Sequence, residues 1–267
     1  MIDAGAARPV ALVTGASSGI GRAFAELLGR DRYDVLLVAR GEAALEELAA
    51  DLRGRFGCGA TVIASDLAQP GAAQALYDRI AASGAFVEVL VNNAGFATYG
   101  PFNEIALAAE REEINLNVLA LTELSKLFVA PMVAQRRGRV LNVASTAAFA
   151  PGPFMAVYYA TKAYVLSFSE ALAVELHGSG VTVTCLCPGA TATGFQARAN
   201  LGRSRLIAGR TLPDAMSVAR AGYDAMRKGQ RLVIPGALNR VTAFTPRLFP
   251  RGAVLQVSRY LQGARRH

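Results

Sequence analysis

The sequence predicts an α/β protein with a doubly wound parallel sheet, helices on both faces of that sheet and a helical C-terminal extension. Short apolar runs alternate with helical segments in units of roughly thirty residues, as repeated βα units do. The runs are apolar on both faces, which is typical of strands buried in a parallel sheet. The 267 residues and the hydrophobic content of 52% suit a single domain with one large core.

The predicted elements follow one another along a core of residues 8–236. The first strand, Val10–Thr14, precedes a helix over Arg22–Arg30, in which apolar residues recur at helical spacing. Further strands are predicted at Val35–Ala39, Thr61–Ala64, Val87–Val91, Arg139–Ala144, Val181–Cys187 and Arg231–Ile234. Further helices are predicted at Ala43–Arg53, Ala72–Ala82, about 104–134, about 154–177 and Asp214–Lys228. Residues 190–212 lack periodicity, which indicates a substrate loop or lid.

The cysteines, the histidines and the start of the chain argue against several classes of protein. Cys58, Cys185 and Cys187 are too few for a disulfide framework, and the last two alternate on one face of a strand as small apolar residues. With only His177 and His267, a zinc site has almost no ligands, so we expect no metal. No apolar run approaches a membrane span of about 20 residues, and the first residues lack a secretory signal. We therefore expect a cytoplasmic protein.

The net charge of +8 comes entirely from the C-terminal part of the chain. Residues 1–197 hold 14 Lys or Arg against 18 Asp or Glu, whereas residues 198–267 hold 14 against 2. The basic residues of the tail are scattered among apolar ones and form no nucleic-acid-binding motif, so we expect no nucleic-acid partner. A solvated basic face is the simplest interpretation, and contact with anionic lipid or an acidic partner is the alternative.

A glycine-rich turn after the first strand predicts a nucleotide site. In Thr14-Gly15-Ala16-Ser17-Ser18-Gly19-Ile20-Gly21, the glycines allow backbone to approach a phosphate, and the helix start offers free N–H donors. The spacing differs from the G-x-G-x-x-G dinucleotide fingerprint, and alone it also suits a tight turn without a ligand.

The end of the second strand indicates which dinucleotide is bound. A cofactor with a free ribose 2′-hydroxyl favours an acidic residue there, but the sequence reads Leu37-Val38-Ala39-Arg40. The Arg40 guanidinium can pair with a 2′-phosphate. We therefore predict NADP rather than NAD, with a solvated arginine at a helix start as the alternative.

A tyrosine and a lysine four residues apart predict the reactive part of the site. In Tyr158-x-x-x-Lys162 both side chains lie on one helix face, so the ammonium can favour the ionised phenol. Ser145 ends a predicted strand thirteen residues before Tyr158. Tyr159 is a competing candidate, but the residue four positions beyond it is Ala163, which carries no charge.

Taken in order, these motifs resemble those of the short-chain dehydrogenase/reductase family. They are Thr14-Gly15-x-x-x-Gly19-x-Gly21, Asp66 in Ser65-Asp66-Leu67, Asn92-Asn93-Ala94-Gly95, Ser145, Tyr158-x-x-x-Lys162, and Pro188-Gly189 followed by Thr193. The resemblance implies a Rossmann fold and reversible hydride transfer between the nicotinamide of NADP (NADPH) and a carbonyl or alcohol. The expected cofactor-binding residues are Gly15, Ser17, Ser18, Gly19, Ile20, Gly21, Arg40, Asp66, Leu67, Asn93, Ala94, Gly95, Tyr158, Lys162, Pro188, Gly189, Thr191 and Thr193.

The resemblance also implies a catalytic set of Asn117, Ser145, Tyr158 and Lys162. Tyr158 would exchange a proton with the substrate oxygen, Ser145 would hold that oxygen, and Lys162 would favour the tyrosinate and bind the nicotinamide ribose. Asn117 would anchor a water that links the lysine to solvent. Asn115 is a second asparagine in the same segment, but its spacing to Ser145 and its following residues match the family less well. Each residue alone also suits a structural role, and their joint spacing favours the catalytic one.

Apolar residues between Ser145 and Tyr158 predict a hydrophobic wall for a small-molecule substrate. Phe149, Pro151, Phe154 and Met155 lie in this interval, and Phe96, Tyr99 and Phe195 are further candidates that equally suit ordinary packing. We therefore expect a hydrophobic ketone, aldehyde or secondary alcohol.

The extension over residues 237–267 mixes apolar residues with arginines, which suggests short amphipathic helices broken at Pro246 and Pro250. These helices could form the interface of a homo-oligomer (dimer or tetramer), cover the pocket, or lie on an anionic membrane, and relatives make the interface the first expectation. The alternative to an enzyme is a protein that senses NADP(H) without turnover. The complete catalytic set favours the enzyme.

Overall fold

Seven short strands pair in parallel into one sheet. They are β1 Val10–Thr14, β2 Asp34–Ala39, β3 Ala60–Ala64, β4 Val87–Asn92, β5 Gly138–Val143, β6 Val181–Leu186 and β7 Leu232–Val233. Their order in the sheet is β3-β2-β1-β4-β5-β6-β7. The structure, a computed structural model, describes residues 8–195 and 212–263. The predicted doubly wound parallel sheet is confirmed, and every strand bound lies within one residue of its predicted position.

Helices cover both faces of this sheet. They are α1 Gly19–Arg30, α2 Glu42–Phe56, α3 Ala72–Ala82, α4 Leu107–Ile114, α5 Leu121–Ala134, α6 Ala156–Glu175, α7 Ala215–Arg227, α8 Ala237–Phe244 and α9 Arg251–Gln262. The two prolines of the extension act as predicted, since Pro246 lies in a short 3₁₀ turn and α9 begins after Pro250. Most of the loop predicted at residues 190–212 lies outside the described residues.

The alternation of side chains along each strand divides the core into two layers. Ala11 and Val13 of β1 pack in a layer with residues of α1, α2 and α7, whereas Leu12 packs in the opposite layer with residues of α3 and α5. All three side chains are fully buried. The sheet is therefore a rigid platform, and its carboxyl edge is where the loops that carry polar residues emerge.

A polar network crosses the middle of the sheet beneath that edge. The Asn92 amide on β4 donates to Ser125 Oγ at 3.0 Å and to Asn142 Oδ1 on β5 at 2.9 Å. The Asn142 amide in turn donates to Ser169 Oγ on α6 at 3.0 Å. The network joins β4 and β5 to α5 and α6 on one face of the sheet through buried hydrogen bonds, which favour one arrangement of these elements.

The single helix predicted over residues 104–134 is divided by a π-helical segment, Asn115–Ala120, between α4 and α5. By length and composition alone, the continuous stretch Leu107–Ala134 could cross a membrane. The expectation that no segment approaches a membrane span is therefore wrong for this stretch. Its Leu124, Phe128 and Met132 are buried against the sheet, as they would be in a core helix that passes the same test.

Candidate active site and dinucleotide cleft

A cavity of about 430 Å³ opens at the carboxyl edge of the sheet. Its wall combines the glycine turn after β1, the ends of β2, β4, β5 and β6, and the start of α6. The sheet order reverses between β1 and β4, because β2 lies on one side of β1 and β4 on the other. Ligands of doubly wound sheets bind at such a switch point, so the fold alone marks this cavity as a binding site.

The glycine turn has the geometry of a backbone cradle. Gly15 and Gly19 have φ angles of +66° and +55°, which residues with a Cβ rarely adopt. A Cβ on Gly19 would lie 2.9 Å from Thr193 Cγ2, across the cavity wall. The turn leads directly into α1, whose first N–H groups have no partner within the helix. These features fit a phosphate group at the N-terminus of α1.

Nearly all of the predicted cofactor-binding residues line the cavity. They are Gly15, Ser17, Ser18, Gly19, Ile20, Arg40, Asp66, Leu67, Asn93, Ala94, Gly95, Tyr158, Lys162, Pro188, Gly189, Thr191 and Thr193. Gly21 is the exception, since it does not line the cavity. A Cβ at Gly21 would lie 2.2 Å from the carbonyl oxygen of Gly15, so this glycine lets α1 pack against the turn from behind.

The segment after β4 is fastened to the end of β1. The Asn93 amide donates to the carbonyl oxygens of Thr14 at 2.9 Å and Gly15 at 3.2 Å, and the N–H groups of Asn93 and Ala94 both donate to Thr14 Oγ1 at 3.0 Å. Asn93 therefore lines the cavity while its side chain holds the glycine turn in place.

In the order of the strands along the sheet, Arg40 and Asp66 lie at one end of the cavity and Tyr158 lies at the other. Arg40 follows β2 and is exposed, so its guanidinium is available to a phosphate in solvent. Asp66 follows β3, and its carboxylate accepts from the Ala68 N–H at 3.2 Å and the Gln69 amide at 3.3 Å. An Asp that lines the cavity in this way fits hydrogen bonding to a nucleobase or ribose.

Tyr158 and Lys162 lie one helical turn apart at the start of α6, and both are buried. Lys162 Nζ lies 5.7 Å from the centre of the Tyr158 ring and donates to the carbonyl oxygen of Val143, the last residue of β5, at 2.9 Å. Burial lowers the pKa of Lys162 to about 8, and nearby Cys185, Cys187 and Glu113 act in the opposite direction. The ammonium thus sits beside the phenol as the spacing predicts.

The pKa of the Tyr158 phenol does not follow the sequence prediction. Burial raises this pKa above its ordinary value, and the hydrogen bond with Ser145 acts in the opposite direction without reversing the change. Burial is the largest influence on the pKa of Tyr158 in this structure, so the lowering that the spacing of Tyr158 and Lys162 predicts is not seen. A phenol in this environment holds its proton at neutral pH, as a proton donor must.

The Ser145 side chain caps a 3₁₀ turn and also hydrogen-bonds with Tyr158. Its side chain accepts the Ala147 N–H at 3.1 Å and so begins the 3₁₀ turn Thr146–Phe149. The same hydroxyl lies 3.5 Å from the Pro188 carbonyl oxygen and hydrogen-bonds with Tyr158. The capping bond orients the hydroxyl toward the phenol, where both groups line the cavity.

The two asparagines of the π-helical segment point to different surroundings. Asn117 is 1% exposed, donates to the Phe96 carbonyl oxygen at 2.9 Å and accepts the Phe96 N–H at 3.2 Å. It also donates to Thr161 Oγ1 on α6 at 3.2 Å. Asn115 instead donates to the Ala68 carbonyl oxygen at 3.1 Å. Asn117 therefore stands behind the cavity wall and joins it to the helix of Tyr158 and Lys162.

The predicted hydrophobic wall is only partly present. Met155, Phe96 and Phe195 line the cavity, with the Phe195 ring centre 5.6 Å from that of Tyr158. Phe149 instead packs near Phe244 of α8, with ring centres 6.5 Å apart. The side chain of Phe154 packs near Tyr99, at 6.4 Å between ring centres. Pro151, Phe149 and Phe154 are not part of the cavity wall.

Two residues of the site were not predicted. Gln262, at the end of α9, lines the cavity, and it is the one buried residue of that helix. Its carbonyl oxygen accepts from Tyr99 Oη at 2.7 Å, and its side-chain amide donates to Tyr159 Oη. Glu113, on the last turn of α4, is fully buried behind the same wall. The C-terminal extension thus contributes directly to the cavity.

The fold and the site together define a class of protein, a dinucleotide-binding oxidoreductase fold with a buried tyrosine and lysine beside the cleft. A sequence profile of the short chain dehydrogenases matches residues 9–204. The chain therefore belongs to the short-chain dehydrogenase family.

Relatives with assigned activities act on more than one kind of substrate. A very-long-chain 3-oxoacyl-CoA reductase of Phaeosphaeria nodorum is 34% identical over 180 residues, which are 66% of this chain and 53% of the relative. A 7beta-hydroxysteroid dehydrogenase of Collinsella aerofaciens is 31% identical over 182 residues, 68% of each chain. The match thus spans about half the length of the first relative.

A solved structure agrees along almost the entire chain. A short-chain dehydrogenase from Sphingobium yanoikuyae in complex with NADPH superposes with a TM-score of 0.81 at 32% identity. The match covers 97% of this chain and 100% of the other. It therefore includes most of the C-terminal extension as well as the Rossmann core.

Proposed function

We propose that the protein is an NADPH-dependent reductase of a carbonyl group on a hydrophobic small molecule. The observation that carries this proposal is the meeting of Ser145, Tyr158 and Lys162 in the same cavity as the glycine turn. A binding protein needs the turn but has no use for a buried proton donor beside it.

The cofactor assignment rests on residues at two strand ends. Gly15 and Gly19 form the cradle for the pyrophosphate, and Arg40 offers a positive charge where the adenine ribose of a dinucleotide would lie. The 2′-phosphate of NADP supplies the matching negative charge. The complex of the Sphingobium yanoikuyae relative with NADPH supports the same assignment. When bound, NADPH supplies the hydride.

The proton of the reduction would come from Tyr158. Reduction places negative charge on the carbonyl oxygen, and the protonated phenol would donate its proton to that oxygen. The Ser145 hydroxyl holds the oxygen by a hydrogen bond, and the Lys162 ammonium stabilises the tyrosinate that remains.

The substrate class follows from the cavity wall. Ala147, Met155 and Phe195 pack in one apolar cluster with the Tyr158 side chain, and Gln262 supplies a polar group to the same cavity wall. Such a wall suits an apolar body next to the reacting carbonyl. The two relatives described above are named for acyl-CoA and steroid substrates, which have large apolar parts.

A screen of NADPH oxidation tests the proposal. The purified protein is offered 3-oxoacyl thioesters, oxosteroids, bulky aryl ketones and aldehydes, with the Tyr158→Phe variant as the blank. We expect substrate-dependent oxidation by the natural protein and loss of at least a hundredfold in the variant, with NADPH binding retained. If the natural protein binds NADPH and oxidises it with none of these compounds, the protein is better described as a sensor of NADP(H).

A further inference from the structure

The carboxyl group of Glu113 is a buried acid that the proposed mechanism does not use. Its side chain is fully buried, and Oε2 accepts the Thr98 N–H at 2.9 Å and the Thr98 hydroxyl at 2.7 Å. Its other oxygen, Oε1, is buried with no hydrogen-bond partner among the described residues. An acid that only held the loop after β4 would not need to leave one oxygen unpaired at this cost.

The position of Glu113 links it to the catalytic set. It lies four residues before Asn117, on the same side of the continuous helical stretch, and Asn117 reaches Phe96 while Glu113 reaches Thr98 of the same loop. A Cβ on Gly95 of that loop would lie 2.9 Å from Asn117 Oδ1 and 3.6 Å from Lys162 Nζ. Glu113, Asn117 and Lys162 thus converge on one short loop from α4, the π-helical segment and α6.

The charge balance of this buried region is incomplete without an acid. Lys162 is 5% exposed, and within the described residues its ammonium makes no salt bridge within 4.0 Å. The groups that act on it electrostatically are the thiols of Cys185 and Cys187, at and just after the end of β6, and the Glu113 carboxyl. Thiols are largely uncharged at neutral pH, so only the carboxyl can supply a full negative charge. Burial raises the pKa of the Glu113 carboxyl and Glu110 raises it further, whereas the hydrogen bonds from Thr98 and the Lys162 ammonium lower it and so favour the carboxylate.

We propose that Glu113 is a positioning residue whose carboxylate is the buried counter-charge of Lys162. It keeps the ammonium protonated over the pH range in which Tyr158 donates its proton, without touching substrate or cofactor. This proposal adds a residue to the site of the proposed function and rests on that function for its catalytic consequence.

Three variants separate charge from shape. Glu113→Gln keeps an oxygen for Thr98 and removes the charge, and Glu113→Asp keeps the charge and shortens the reach to Thr98. Glu110→Gln is the matched control, since Glu110 is a buried acid of the same helix that does not act on Lys162. We expect the basic limb of the pH profile of NADPH-dependent kcat/KM to move down by about one pH unit in Glu113→Gln and to stay in place in the other two.

A second measurement needs no turnover. The stability difference between the Lys162 protein and its Lys162→Met variant, followed by urea unfolding across the alkaline range, reports the pH at which the buried amine loses its proton. This pH should also fall by about one unit in the Glu113→Gln background. Glu113→Met replaces Glu113→Gln if the latter does not fold. An unmoved titration in the charge-free variant overturns the role of Glu113, whereas an inactive natural protein overturns only the proposed reaction.

Discussion

Replacing Lys162 by methionine is expected to stabilise the protein at neutral pH while it abolishes catalysis. The fold buries an ammonium beside Tyr158 and Val143, and burial lowers its pKa from 10.5 to about 8. A methionine fills similar space without a charge and loses the hydrogen bond to the Val143 carbonyl oxygen. In the proposed reaction this destabilising group stabilises the tyrosinate, which would account for a buried lysine at this position.

The size of the effect and its pH dependence follow from the two pKa values. The difference between 10.5 and about 8, at about 1.4 kcal/mol for each pKa unit, corresponds to a cost of about 3 kcal/mol. Below pH 8 the amine is protonated in both states, so the folded protein bears the full cost. Between pH 8 and 10.5 the unfolded chain binds more protons than the folded one, so stability rises with pH and the cost disappears.

Urea unfolding of the two proteins at pH 7 and pH 9.5, without cofactor, measures this cost. The advantage of Lys162→Met over the natural protein should shrink by about 2 kcal/mol between the two pH values. Titrating groups that do not interact with Lys162 are common to both proteins and cancel in the comparison, and the same pair of measurements in the Glu113→Gln background removes the coupled acid. An advantage that is equal at both pH values would show that Lys162 is not buried as an ammonium.

Three further substitutions test separate parts of the site. Arg40→Asp should lower the ratio of kcat/KM for NADPH to kcat/KM for NADH at least tenfold, because a hydrogen bond to a charged group is worth about 1.5 to 3 kcal/mol. The control Arg79→Asp, on an exposed face of α3, should leave this ratio unchanged. Gln262→Leu leaves Tyr159 Oη without its partner and should raise the KM of the carbonyl substrate severalfold, while the exposed Gln256→Leu should not. Gly21→Ala places a Cβ against Gly15 and Asn93. It should therefore lower the unfolding free energy by about 1 to 3 kcal/mol and weaken NADPH binding. In the control Gly54→Ala, the new Cβ meets no atom within 4 Å, so this variant should not destabilise the protein. Equal behaviour of any variant and its control would contradict the contact on which that prediction rests.

Local patterns in the sequence predicted most of the fold, and in the site they predicted the glycine turn and the Tyr158–Lys162 pair. Strand bounds were predictable because a strand in a parallel sheet is a short apolar run between polar turns. The glycine turn and the Tyr158–Lys162 pair were predictable because their geometry depends on spacing within a few residues. Both features can be predicted from neighbouring residues alone, without knowledge of contacts between distant parts of the chain.

The residues that were not predicted depend on contacts between distant parts of the chain. Gln262 contacts Tyr99 and Tyr159, which lie 163 and 103 residues away in the sequence. Phe149 was expected at the substrate but packs near Phe244 of the extension instead, because α8 lies against its turn. Glu113 stands beside Glu112 in an acidic segment, and nothing local distinguishes the buried acid from the exposed one. The burial that raises the pKa of Tyr158 also results from contacts between distant parts of the chain.

Because of the π-helical segment Asn115–Ala120, the number of residues between α4 and α5 matters for the site as much as their identity. A π-helical turn holds one residue more than an α-helical turn, and one residue of an α-helix corresponds to about 100° of rotation. Deleting the exposed Leu119 would remove that extra residue and rotate α4 relative to α5 by about this angle. Glu113 would then leave its loop, or Leu124 would leave the sheet. Substitutions on the outer face can be absorbed here, whereas a single deletion or insertion would disassemble the site.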